Sequence, residues 1–105
     1  MPQFALYRNR NAATRGRFPL LLDIQSDLLD PLATRVVVPL SPAGTARSRS
    51  MQSLTPLLTF EGRKYLMMTP QLSAVATREL GPIVGDLAVD RVTIMAAVDF
   101  LTAGI

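Results

Sequence analysis

Up to about residue 90 this chain is written in short extended pieces separated by turn residues, and from Asp90 its apolar period becomes helical. That switch constrains the fold more than any single residue, because short strands joined by tight turns bury their apolar sides in a small barrel or sandwich. Gln3-Phe-Ala-Leu-Tyr7 alternates polar and apolar side chains, residues 9–16 carry turn chemistry, and residues 18–25 return, which predicts a first hairpin. Between Thr34 and Leu40 the β-branched run Val36-Val37-Val38 predicts a third strand, central or buried on both faces, with Pro39 capping its hydrogen bonding near the end. Residues 41–53 are poor in bulky apolar side chains and read as a loop with one helical turn. A second hairpin is expected from residues 55–60 and 64–69 around the three-residue connection Glu61-Gly62-Arg63, and extended pieces follow at 72–76 and 81–84. The final segment predicts a helix with Asp90 as N-cap. Its apolar face is Ile94, Ala97, Val98 and Leu101, widened by Val92, Met95 and Ala96, and Gly104 ends it.

At 105 residues the chain reads as a single domain, residues 1–105, able to bury about two-thirds of its unfolded surface. Hydrophobic residues make up 49%, yet aromatics only 6% with no Trp, so the core must be aliphatic. An apolar excess in so small a chain predicts that a second copy covers part of it, giving a homodimer. The absence of Cys excludes disulfides, thiolate metal sites and thiol catalysis, and the absence of His removes the side chain best suited to proton transfer near neutrality. No apolar stretch approaches the ~20 residues that span a bilayer, and Met1-Pro-Gln-Phe lacks a signal-peptide pattern. A soluble, cytoplasmic protein without a membrane partner is expected.

The net charge of +3 is placed unevenly. Residues 1–17 hold Arg8, Arg10, Arg15 and Arg17 and no acid, while the rest holds seven basic and eight acidic residues. Such a patch suits nucleic acid or an acidic protein segment, and it equally suits a solvated hairpin loop.

Asp23, Asp27 and Asp30 invite a metal reading, since carboxylates suit hard cations, but their spacing is wrong for an EF-hand loop. A turn in which Asp and Ser side chains accept backbone N–H bonds explains them better. Tyr65-Leu66-Met67-Met68 suits either core packing or an adaptable peptide groove. Phosphate loops, nucleophile elbows and zinc spacings are absent, so no catalytic residue, metal or cofactor is expected.

Several of these pieces together resemble the CcdB toxins of bacterial toxin–antitoxin modules: Gln3-Phe4 with Tyr7, the string Asp23-Ile-Gln-Ser-Asp-Leu-Leu-Asp30, Val38-Pro-Leu40, Met67-Met-Thr69, and a last helix followed by Gly104-Ile105. The resemblance implies a mainly β fold with a C-terminal α-helix, an SH3-like small barrel of the CcdB/MazF kind, assembled as a homodimer through the helix. It implies a poison that acts by binding rather than by catalysis: CcdB-like toxins bind the A subunit of DNA gyrase and trap the gyrase–DNA cleavage complex. The positions matching the gyrase-contacting surface are Ser26, Leu28 and Leu29, with Asp99, Thr102, Ala103, Gly104 and Ile105. A CcdA-like antitoxin is expected on an overlapping surface with Arg8, Arg15, Met67 and Met68, and operator DNA is expected to be reached only through the antitoxin complex, which represses its own operon.

The chain departs from well-known members where Trp, preceded by Phe, stands before the terminal Gly-Ile. Ala103 and Thr102 occupy those positions here. Two alternatives stay open on the same fold, a MazF-like messenger-RNA interferase and a homologue that has lost toxicity and only binds antitoxin; the early Pro-Gly-Asp segment of the interferases is missing.

Overall fold

The computed structural model describes residues 2–29, 32–43 and 52–104. Among them run seven strands and a C-terminal helix: β1 (Ala5–Asn9), β2 (Leu20–Asp23), β3 (Thr34–Pro42), β4 (Leu57–Phe60), β5 (Arg63–Met67), β6 (Ser73–Ala76), β7 (Leu80–Asp86) and α1 (Arg91–Ala103). The mainly β reading with a C-terminal helix is therefore correct. The expected helical turn in the 41–53 loop falls chiefly on residues outside the described ones.

All pairings are antiparallel, in the order β4-β5-β3-β2-β1-β7. β3 is the spine. Its first residues, Thr34 to Val37, pair with β6, and its last, Leu40 to Pro42, pair with β5. Pro39 does not end the strand, which runs three residues further; its carbonyl accepts the Met68 N–H at 3.0 Å.

The sheet curls so that its two end strands meet side chain to backbone. A methyl group on Gly85 of β7 would sit 2.5 Å from the Phe60 ring of β4, so only glycine admits that ring. β4 and β5 are joined through Glu61 and Gly62, with φ of 51° and 78°, a two-residue type I′ turn rather than the three-residue connection expected.

Period-two alternation divides the buried side chains. Leu6, Leu20, Leu22, Val38, Leu40 and Met67 face the main core, which α1 covers with Ile94 and Ala97. Ala5, Tyr7, Val37 and Leu80 form a smaller cluster on the other face. Phe4, expected inside the first strand, has φ of 71° and precedes it. That left-handed turn is unusual for a bulky residue; here it accompanies a ring packed into the main core, with the Arg91 guanidinium 5.9 Å from its centroid.

Asp90 makes no side-chain cap on α1. Asp86 does related work one turn earlier, accepting the Ala88 N–H at 2.9 Å. At the other end Gly104 adopts φ of 72° and donates its N–H to the Phe100 carbonyl at 3.0 Å, the left-handed stop expected of it.

Candidate functional site

The acidic string after β2 is held from beneath by a buried charge pair. Arg35 donates from Nε to Asp23 Oδ2 at 2.8 Å and from Nη2 to Asp23 Oδ1 at 3.0 Å, and both side chains are completely buried. Tyr7 Oη donates to Asp23 Oδ2 at 3.3 Å. This fork-to-fork geometry is what a guanidinium and a carboxylate need to survive out of water.

Gln25 transmits that anchor to the turn. Its N–H donates to Asp23 Oδ1 at 2.9 Å and its carbonyl accepts Arg35 Nη2 at 3.3 Å. Its side-chain amide spans the loop, Oε1 accepting the Val36 N–H at 3.0 Å and Nε2 donating to the Leu29 carbonyl at 3.1 Å. Asp27 Oδ1 accepts the Gln3 N–H at 2.7 Å, and Ser26 Oγ accepts the Leu28 N–H at 3.2 Å.

The polar members of the string thus face inward or hold backbone, and the leucines between them are thrown out. Leu28 is 90% exposed, and Leu29 and Leu32 are about half exposed. Asp23 is engaged by Arg35 and Asp27 by Gln3, which supports the turn reading of these carboxylates; Asp30 lies outside the described residues.

The second expected half of the site is the end of α1, where Asp99, Thr102, Ala103 and Gly104 are all exposed. Thr102 Oγ1 donates back to the Val98 carbonyl at 3.0 Å, so its donor is spent within the helix. Ile105 lies outside the described residues. The main neighbours of α1 are the turns Thr69–Gln71 and Ala88–Asp90, not the Asp27–Leu29 turn.

Helical spacing places Val92, Ala96, Phe100 and Ala103 along one outward stripe of α1, with Val92 82% exposed and Phe100 41%. Val89, just before the helix, is 92% exposed. Together with Leu101 these make an apolar surface of the kind a soluble monomer seldom leaves open.

Of the residues expected to meet an antitoxin, Arg8 and Arg15 are exposed and line one cleft with Arg10. Met67 is a correction. Its side chain is fully buried in the main core because β5 turns every second residue inward, which leaves Met68, half-buried, as the methionine within reach.

The family model described as CcdB protein matches residues 3–104. The chain belongs to the CcdB family. Membership makes it a toxin of a toxin–antitoxin module, and the match runs through both the Asp23-to-Leu29 turn and α1. No helix among the described residues is long and apolar enough to cross a membrane.

The buried pair is what sequence reasoning misses. A lone Asp at the end of an apolar run and a lone Arg at the start of another, on strands expected to neighbour each other, is the signal that could find it. The outward position of Val92 stays hidden as long as it is counted as widening the core-facing stripe.

Proposed function

We propose that this CcdB-family toxin acts as a homodimer that binds the A subunit of DNA gyrase and traps the gyrase–DNA cleavage complex, by docking and not by catalysis. The observation that carries the reading is Leu28, a large apolar side chain held 90% exposed on a turn that a buried ion pair and Gln25 make rigid. Leaving Leu28 in water forgoes about 1.5–3 kcal/mol of burial, and a preorganised turn loses little further entropy when a partner covers it. Ser26 and Leu29 flank it, and Asp99, Thr102, Ala103, Gly104 and Ile105 supply the remainder from the helix end.

Dimerisation through the Val92–Phe100 stripe brings two helices together and doubles these surfaces about one axis. A CcdA-like antitoxin then covers an overlapping region that includes Arg8, Arg15 and Met68, silences the toxin, and supplies the operator contacts by which the complex represses its operon.

The test is to incubate the purified protein with gyrase, ATP and supercoiled plasmid, and separately with RNA. Linear plasmid released by detergent and protease is the expected result. RNA cleavage without plasmid breakage would replace the reading with the interferase one, and antitoxin binding without either would make the protein a non-toxic homologue.

A further inference from the structure

Two clefts meet at Arg8 and Pro19. One, of about 380 Å³, runs toward the second hairpin and is lined by Glu61, Arg63 and Lys64. The other, of about 490 Å³, runs along the first hairpin and is lined by Arg10, Arg15 and Pro82. The continuous groove carries five cations, Arg8, Arg10, Arg15, Arg63 and Lys64, against one carboxylate, Glu61. All five are exposed, and among the described residues none is paired with an acid.

Among the described residues outside the groove, Arg78 is likewise exposed, whereas three other basic side chains have internal partners. Arg35 is paired with Asp23, Arg17 lies 4.7 Å over the Phe18 ring, and Arg91 lies over Phe4. The groove cations have no such task, and five like charges held side by side repel one another until an anion neutralises them.

The walls narrow the kind of polyanion. Pro19, Pro42 and Pro82 stand on the groove and have no N–H to offer an added peptide strand. Its aromatic rings, Phe60 and Tyr65, are half-buried and buried, so no ring is presented on which unpaired bases would stack. Cations without a stacking platform suit the sugar–phosphate backbone of a duplex.

We propose that this groove is a backbone-binding site for duplex DNA, used when the toxin is free of antitoxin. The inference rests on the gyrase reading, which brings the toxin to a DNA-bearing target; there the groove adds sequence-independent contacts to the trapped DNA. An antitoxin lying over Arg8 and Arg15 closes the same groove, so operator recognition remains the antitoxin's own.

The experiment measures anisotropy of a short fluorescent duplex of arbitrary sequence with the full-length toxin alone, over a salt series. Neutralising five phosphates gives a slope of about −4.5 in log K against log salt, or roughly 500-fold weaker binding between ~50 and ~200 mM. Combining Arg10→Ala, Arg63→Ala and Lys64→Ala should bring the slope to about −2 with unchanged melting, and Arg63→Glu alone, the less invasive variant, should weaken binding at low salt by about tenfold or more. No duplex binding at ~50 mM salt, binding untouched by these substitutions, a glutamate-rich peptide bound in place of the duplex, or single-stranded RNA bound more tightly would each overturn the proposal. A toxin that linearises plasmid with gyrase yet binds no duplex removes the groove and leaves the gyrase reading intact. One that binds duplex without trapping gyrase does the reverse.

Discussion

Removing either partner of the Asp23–Arg35 pair tests the scaffold under the turn. In Asp23→Ala the Arg35 guanidinium keeps Tyr7 Oη and the Gln25 carbonyl nearby but loses both carboxylate oxygens in a site without water access. Breaking a buried pair in this way costs about 3–5 kcal/mol, and Arg35→Met should cost a comparable amount by orphaning the carboxylate. The double substitution Asp23→Leu with Arg35→Met removes both charges and should fall within about 2 kcal/mol of the wild type, far short of the sum of the singles. Urea unfolding midpoints at one fixed protein concentration measure this, the concentration being held because the stability of the proposed dimer would depend on it. Single variants each costing under about 1 kcal/mol, or a double variant equal to their sum, would refute the argument. The double variant has a second use: Gln25 loses the acceptor of its N–H and the donor to its carbonyl, so amide exchange at Gln25 should quicken and plasmid linearisation should fall although the protein still melts normally.

Three further substitutions probe other parts of the molecule. Leu28→Asp should leave stability within about 0.5 kcal/mol, because the side chain is in water, while reducing gyrase trapping about tenfold or more in a plasmid-linearisation titration; undiminished trapping would remove Leu28 from the docking face. Gly85→Ala drives a methyl into the Phe60 ring and should destabilise by about 1–3 kcal/mol, with Phe60→Leu recovering part of the loss in the double variant; a midpoint that does not move would show that barrel closure is looser than described. Val92→Lys with Phe100→Lys places charges on the outward stripe of α1 and should halve the mass seen by sedimentation; a dimer unaffected by both would assign the interface elsewhere.

Strand placement is readable because turn residues punctuate this chain so regularly. Glu61-Gly62 locates the second hairpin, and only the count of connecting residues is off, since Arg63 already pairs with Phe60. Burial by alternation is less accessible. Met67 and Met68 look equally available as letters, yet Met67, the last residue of β5, is fully buried in the core while Met68, just beyond the strand, is half-buried. Asp23 illustrates the same limit, for a carboxylate in a turn-like string reads as solvated until its partner twelve residues on, Arg35, is seen to be buried with it. The C-terminal stop at Gly104 is legible since glycine past a helical run accommodates a left-handed residue, whereas Asp90 misleads because Asp86 has started a tighter turn ahead of the helix.

The two parts of the proposed docking face share a chemical character that bears on the missing aromatic. In the turn, Gln25, Ser26 and Asp27 spend their polar atoms on backbone, and at the helix end Thr102 and Gly104 donate to carbonyls of the preceding turn. Apart from the Asp99 carboxylate, what remains outward is apolar, chiefly Leu28 and Leu29. A face of this kind gains affinity by leaving water rather than by neutralising charge, so its binding should be nearly insensitive to salt, in contrast to the steep dependence of the arginine groove. The methyl of Ala103 offers little to such a face where a Trp would offer a large anchor. Affinity must then come from the turn, which makes the rigidity supplied by Asp23, Arg35 and Gln25 matter more in this chain than in one whose tail carries the aromatic pair.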